Sequence, residues 1–189
     1  DQPGFLDYTP YKIAYELKKN PSVLALKTGG GLEVLAAAHF NARSVSAVEK
    51  NHQIIELLQE RFSNYTAGIF HKRNVLFYRS GVRPFIASVN KKFDLITTGI
   101  YPLEENAFRD EPDYTLTEEA LKDYVSLLEK DGILMIRIPL QNPPRMELRI
   151  LSTLRAFLVS SGLSDRQLKT LKTSDSFVFF LKQNPFSAE

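Results

Sequence analysis

Residues 21–40 read PSVLALKTGGGLEVLAAAHF. An apolar run, Val23–Leu26, meets the polar pair Lys27-Thr28 and then three glycines, Gly29, Gly30 and Gly31. From Leu32 to Phe40 the apolar residues Val34, Leu35 and Ala38 recur at helical spacing. A buried strand, a glycine turn and a helix form the opening unit of an open α/β sheet. Glycines in such a turn accept positive φ and let a ligand approach the backbone closely. The helix behind them offers unpaired N–H groups. Lys27 stands where such loops usually carry their first glycine. A lysine is tolerated there if its φ is negative, with the glycines behind it carrying the positive angles.

Reading outward, strand and helix patterns alternate. SVSAVE, Ser44–Glu49, alternates and ends on an acid. NHQIIELLQERF, Asn51–Phe62, predicts one amphipathic helix with Ile54, Ile55, Leu58 and Phe62 on one face. Asn74–Arg79 predicts a third strand, Arg83–Val89 a short helix and Phe93–Thr98 a fourth strand. A long connection with Pro102 and Pro112 spans Gly99–Leu116. Thr117 predicts the cap of a helix with Glu118 and Glu119 in its first turn and Leu121, Tyr124, Val125 and Leu128 as its stripe. Asp131-Gly132 reads as its stop, before a fifth strand at Ile133–Ile138. A proline-led helix then runs to Gly162. Two strands near Arg166–Leu171 and Phe177–Leu181 flank the turn KTSD. Phe177, Phe179 and Phe180 read as core and sheet-face aromatics. The order predicts an α/β fold: a doubly wound, mostly parallel seven-stranded sheet with a C-terminal antiparallel hairpin. Residues 1–20 read as a lead-in, with an irregular start, and 21–189 as one domain.

Composition narrows the function. The 189 residues are 43% hydrophobic and 24% charged, enough for one real core. Lys and Arg number 24, Asp and Glu 22, and the net charge is +2, which argues against a polyanion-binding surface, with a local basic patch as the alternative. Without cysteine there are no disulfides, thiolate metal sites or cysteine nucleophiles. His39, His52 and His71 lack metal-ligand spacing, so no metal site is expected. No apolar run reaches the roughly 20 residues that span a bilayer. The expectations are therefore no nucleic acid, no membrane contact by this domain itself, and a cytoplasmic setting. The chain begins at Asp1 rather than Met. That suggests a domain of a longer protein, membrane-associated in one version, or a lost leader.

Two cofactor classes suit the glycine turn. A dinucleotide fingerprint, G-x-G-x-x-G, reads Gly29, Gly31 and then Val34, and its last glycine fails. An S-adenosylmethionine (SAM) pattern, G-x-G-x-G, reads Lys27, Gly29, Gly31, and its first glycine fails. The closing hairpin favours the SAM class. Glu49, eighteen residues past Gly31, stands where an acid accepts hydrogen bonds from ribose hydroxyls. The plain alternative is a glycine turn that only packs a helix on a strand.

Several segments resemble the spermidine synthase-like branch of the class I SAM-dependent transferases, which have a methyltransferase-like Rossmann fold. YTPYKIAYELKKNPSVLALKTGGGLEVLAAAHFNARSVSAVEKN is similar to that family's lead-in, glycine loop and acidic second strand. RFSNYTAGIFHKRNVLFYRSGVRPFI is similar to its third-strand region, and LTEEALKDYVSLLEKDGILMIRI to its helix and fifth strand. PPRMELRILSTL resembles a segment of longer bacterial members. The resemblance implies SAM or decarboxylated SAM as cofactor, methyl or aminopropyl transfer, a small cationic amine such as a polyamine as acceptor, and a homodimer. It places Lys27, Gly29, Gly30, Gly31, Glu49, Ser80, Gly81 and Thr98 at the cofactor.

Departures cluster where the chemistry belongs. The family acid that contacts the adenine amino group falls at Gly81, and the aminopropyltransferase aspartate after the fourth strand falls at Gly99, beside Thr97 and Thr98. An attacking amine must lose its proton, so the missing carboxylate speaks against ordinary aminopropyl transfer. In the connection, Glu104, Glu105, Asp110, Glu111 and Asp113 suggest an acidic lid over a cationic substrate, with Tyr101 and Glu104 as catalytic candidates. The alternative there is a solvated loop. The rival function is a non-catalytic descendant serving assembly or regulation. A dinucleotide-binding oxidoreductase is a third reading, weakened by Val34. Lys91-Lys92 and His71-Lys72-Arg73 read as solvated turns.

Overall fold

A computed structural model describes residues 4–99 and 114–187. The elements in chain order are α1 (Tyr11–Leu17), β1 (Ser22–Leu26), α2 (Leu32–His39), β2 (Ser44–Glu49), α3 (His52–Glu56), β3 (Val75–Arg79), α4 (Val82–Ser88) and β4 (Phe93–Gly99). They continue with α5 (Glu118–Ser126), β5 (Leu128–Pro139), α6 (Met146–Ser160), β6 (Leu168–Lys172) and β7 (Ser176–Lys182). The strands form one seven-stranded sheet in the order β3-β2-β1-β4-β5-β7-β6. β1 to β5 are parallel, and β7 runs antiparallel between β5 and β6. The order reverses between β1 and β4, both of which flank the glycine turn.

Side chains alternate across the sheet with the strand period of two. Leu24, Leu26, Ile96, Leu134, Ile136 and Phe179 face a core closed by α4, α5 and α6. Val23, Ala25, Leu95, Met135, Val178 and Phe180 face a second core under α1 and α2. The expected lead-in lies in this second layer. Gly4–Tyr8 is a 3-10 turn rather than irregular chain, and Leu6, Tyr11, Ala14 and Tyr15 are buried against the sheet.

Three local expectations are corrected. The helix after Asn51 does not run straight to Phe62. Past Glu56 it widens into a π-turn, Leu57–Arg61, and the Phe62 N–H reaches back to the Leu57 carbonyl at 2.9 Å. The extra residue per turn rotates Phe62 off the apolar face, leaving it half exposed while Ile55 and Leu58 stay buried. Thr117 does cap α5, accepting from the Ala120 N–H at 3.2 Å. Asp131-Gly132, however, does not end that helix; it stops at Ser126, and the pair lies inside β5. Leu128 pairs with Phe93 but Ile133 with Leu95, so the extra residues form a bulge. A Cβ on Gly132 would lie 2.9 Å from the Phe93 carbonyl oxygen, so only glycine fits there. The expected strand at Arg166 begins later, because Asp165–Gln167 forms a 3-10 turn capped by Ser164.

Candidate functional site

The carboxyl ends of β1, β2 and β3 meet around Glu49. Its Oε2 accepts the Gly29 N–H at 2.9 Å, and its Oε1 accepts the Asn51 N–H at 2.9 Å. Its main-chain carbonyl accepts the Ser80 N–H at 3.1 Å. One residue therefore joins three loops that the sequence separates. The turn itself closes when the Gly31 N–H donates to the Thr28 carbonyl at 2.7 Å. Thr28 is fixed in turn by its N–H on the Val48 carbonyl at 3.3 Å.

Lys27 overturns the expectation that glycine alone carries the positive angles. Its own φ is +54°, alongside +46° at Gly29 and +82° at Gly31. The chain leaves β1 in the left-handed region one residue before the glycines, and lysine holds a geometry that glycine adopts without a Cβ clash. The glycines divide their work. Gly31 abuts the fold, since a Cβ there would lie 2.6 Å from the Phe70 ring. At Gly30 nothing among the described residues lies within 4 Å of that position. The residue is exposed.

Thr98 pairs in register with Leu26 and is 3% exposed, beside the turn. Gly81 is the cap residue before α4, and among the described residues a Cβ there would touch only Pro84, at 3.5 Å. Ser80 donates its hydroxyl to the Gly81 carbonyl at 3.0 Å. Glycine or serine turns from β1 and β3, the β2 acid and a β4 threonine thus share one end of the sheet. Tyr101 and Glu104, with the other acids of the connection, lie outside the described residues. Among the described residues no three His, Asp or Glu side chains gather to hold a metal.

Three buried groups escaped the sequence reading. The Thr28 and Thr97 hydroxyls are enclosed, with no hydrogen-bond partner among the described residues. Glu33, in the first turn of α2, is 1% exposed and accepts the Tyr11 hydroxyl at 3.0 Å. Burial, then the Glu33 charge, pushes the Tyr15 phenol far above its ordinary range. A glutamate in the first helical turn after a glycine loop reads as an ordinary dipole partner. Its link to α1 exists only in three dimensions. A surface depression of about 720 Å3 runs along Leu148, Leu151, Arg155 and Val159, but all its lining comes from α6, away from these loops.

Sheet order, crossovers and the terminal antiparallel pair define the class I SAM-dependent methyltransferase fold, and solved structures agree. An rRNA methylase of Streptococcus thermophilus superposes with a TM-score of 0.61 at 18% identity, over 91% of this chain and 92% of that one. A Streptococcus mutans protein assigned as a methyltransferase, solved in complex with SAH, gives 0.62 at 16% identity, over 92% and 98%. A Klebsiella pneumoniae protein assigned as an O-methyltransferase gives 0.63 at 14%, over 96% and 81%. No family model matches the chain. An uncharacterized protein of Methanocaldococcus jannaschii is 30% identical over 158 residues, 70% of this chain and 42% of that protein. The chain therefore spans less than half the length of this relative.

The residues present fit a nucleoside at its ribose end. Glu49 is a half-buried carboxylate already oriented by two N–H donors, with lone pairs left for hydroxyl groups. Among the described residues, Gly30 leaves its side of the turn uncovered. Gly81, where the resemblance puts the adenine contact, carries no acceptor side chain.

Proposed function

We propose that this chain is a SAM-type group transferase domain of the spermidine synthase-like kind, with SAM or decarboxylated SAM as cofactor. The Glu49–Gly29 hydrogen bond carries the reading, because it sets a ribose-accepting carboxylate against an open glycine turn at the switch point of the sheet. The methyltransferase structures that share this fold, one of them holding SAH, support a SAM-type cofactor. Glu49 accepts the ribose hydroxyls, Gly30 admits the ligand to the backbone, and Ser80, Gly81 and Thr98 border it. A bound sulfonium supplies an electrophilic carbon. This chain's part is to hold donor and acceptor in line and exclude water. β4 ends at Gly99, so glycine stands where the aminopropyltransferase aspartate falls, and Tyr101 and Glu104 of the following connection stay the catalytic candidates. An acceptor that arrives with its lone pair free suits such a site, which favours methyl transfer over aminopropyl transfer to a protonated amine. A small amine acceptor, a homodimer and a cytoplasmic setting belong to the same proposal.

One observation favours a second reading. Lys27 at φ +54° and Gly99 together suit a domain that keeps the fold without turnover. Isothermal titration with SAM, decarboxylated SAM and methylthioadenosine separates the two. Binding of at least one, between about micromolar and millimolar Kd, is expected. No heat at millimolar ligand would sink the cofactor assignment. Binding without transfer to any amine, hydroxyl or carbon acceptor would favour the non-catalytic reading.

A further inference from the structure

The first four strands of the parallel sheet are each approached through basic residues. Lys18 and Lys19 precede β1, Arg43 precedes β2, Lys72 and Arg73 precede β3, and Lys91 and Lys92 precede β4. The strands run in register, with Ser22 opposite Ser44, Val45 opposite Val75 and Val23 opposite Leu95. Their amino ends therefore share one face of the molecule, opposite Glu49 and the glycine turn. The loops of this face are bound together. The Arg43 N–H donates to the Pro21 carbonyl at 2.9 Å, and the Asn74 side-chain amide to the Ala42 carbonyl at 3.1 Å. All these cations except Lys18 are exposed. Of the nearby acids, Asp94 is held by Ser22 and Arg43, Glu16 pairs with Lys12, and Asp131 at the β5 bulge interacts electrostatically with Lys18.

The near-neutral net charge conceals this distribution. Seven Lys or Arg lead into these four strands, while Lys50, Arg79 and Arg83 lie at the opposite, Glu49 end. We propose that the face formed by the strand amino ends docks on an anionic lipid surface, leaving the Glu49 end pointing away. Contact is peripheral, since no helix among the described residues is long and apolar enough to cross a membrane. One feature favours lipid over nucleic acid. Lysines outnumber arginines on this face, and lysine is a point charge suited to a diffuse surface potential rather than to bidentate phosphate capture. The position opposite the transfer site also sets this surface apart from the acceptor.

Co-sedimentation of the 189-residue chain with vesicles tests it. Phosphatidylserine-containing vesicles should retain the chain and pure phosphatidylcholine vesicles should not. Retention should fall as salt rises from about 0.05 to 0.5 M. Lys72→Glu/Arg73→Glu and Lys19→Glu/Lys91→Glu should each lower partitioning at least about tenfold. Thermal melting and SAM titration should be unchanged, because these residues lie at the far end of the strands. If a charge reversal fails to fold, Lys72→Gln/Arg73→Gln reads the same loss at smaller size. Equal retention by neutral vesicles, or full retention of the folded variants, would overturn the proposal. Tighter binding to single-stranded or duplex RNA at the same salt would also overturn it and give the face to nucleic acid.

Discussion

Lys27 and Glu49 make opposite demands on the glycine turn. A left-handed L-residue costs roughly 1–2 kcal/mol. Replacing it with glycine returns about 0.4–1 kcal/mol of that as unfolded-chain entropy. Lys27→Gly should therefore raise stability by about 0.5–1 kcal/mol and Tm by about 1–4 °C in a thermal melt. A lower Tm would show that the lysine side chain contributes more than its backbone costs. The same variant reports on ligand: tighter SAM binding marks Lys27 as an obstruction, weaker binding marks it as a contact. Glu49→Ala removes both the ribose acceptor and the tether of Gly29. Titration should show at least about a tenfold loss of cofactor affinity, the scale of a lost charge-assisted hydrogen bond. Unchanged affinity would remove Glu49 from the site. Sequence placed Glu49 through spacing alone, but it did not place Lys27 in the left-handed region, because φ there depends on how β1 must turn to meet α2.

At the scale of elements, β1, β2 and β4 are latched by Asp94. Its carboxylate accepts the Ser22 N–H and hydroxyl, each at 2.8 Å, and the Arg43 guanidinium at 3.0 Å. Partial burial opposes ionisation, yet the Ser22 bonds, Arg43 and Lys18 together hold its pKa below the ordinary value. A depressed folded-state pKa contributes stability that is complete above the unfolded pKa of about 3.9 and lost as pH falls below it. Asp94→Asn should thus lower stability by about 1–2 kcal/mol at neutral pH and flatten the acid limb of Tm against pH. An acid limb identical to that of the parent would refute this latch. In β5, Gly132→Ala drives a methyl against the Phe93 carbonyl and the Glu129 backbone. Chemical denaturation should register about 1–3 kcal/mol of destabilisation. Element existence was readable from apolar period and the Thr117 cap. The π-turn at Leu57–Arg61 and the bulge at Asp131-Gly132 were not, since each answers a partner distant in sequence.

Across the whole molecule, the segment before β1 belongs to the second core. Leu6, Tyr11, Ala14 and Tyr15 are each at most 3% exposed, and Tyr11 holds the buried Glu33. Removing residues 1–17 would forfeit several kcal/mol of burial and strand that carboxylate, a loss comparable to the roughly 5–15 kcal/mol stability of a domain. The truncated chain should lose its cooperative melt by circular dichroism; a sharp transition near the parent Tm would show that α1 is dispensable. The local pattern of the sequence by itself determined the alternation of strands and helices, the glycine turn and the acid that answers it. Those features depend on neighbours a few residues away, through period, capping and turn chemistry. Only the tertiary structure decided that Lys27 takes a glycine's angles, that Gly31 packs on Phe70 while Gly30 stays exposed, and that the basic turns gather on one face. Each depends on which distant strands lie side by side, and that is set by burying both faces of one sheet at once.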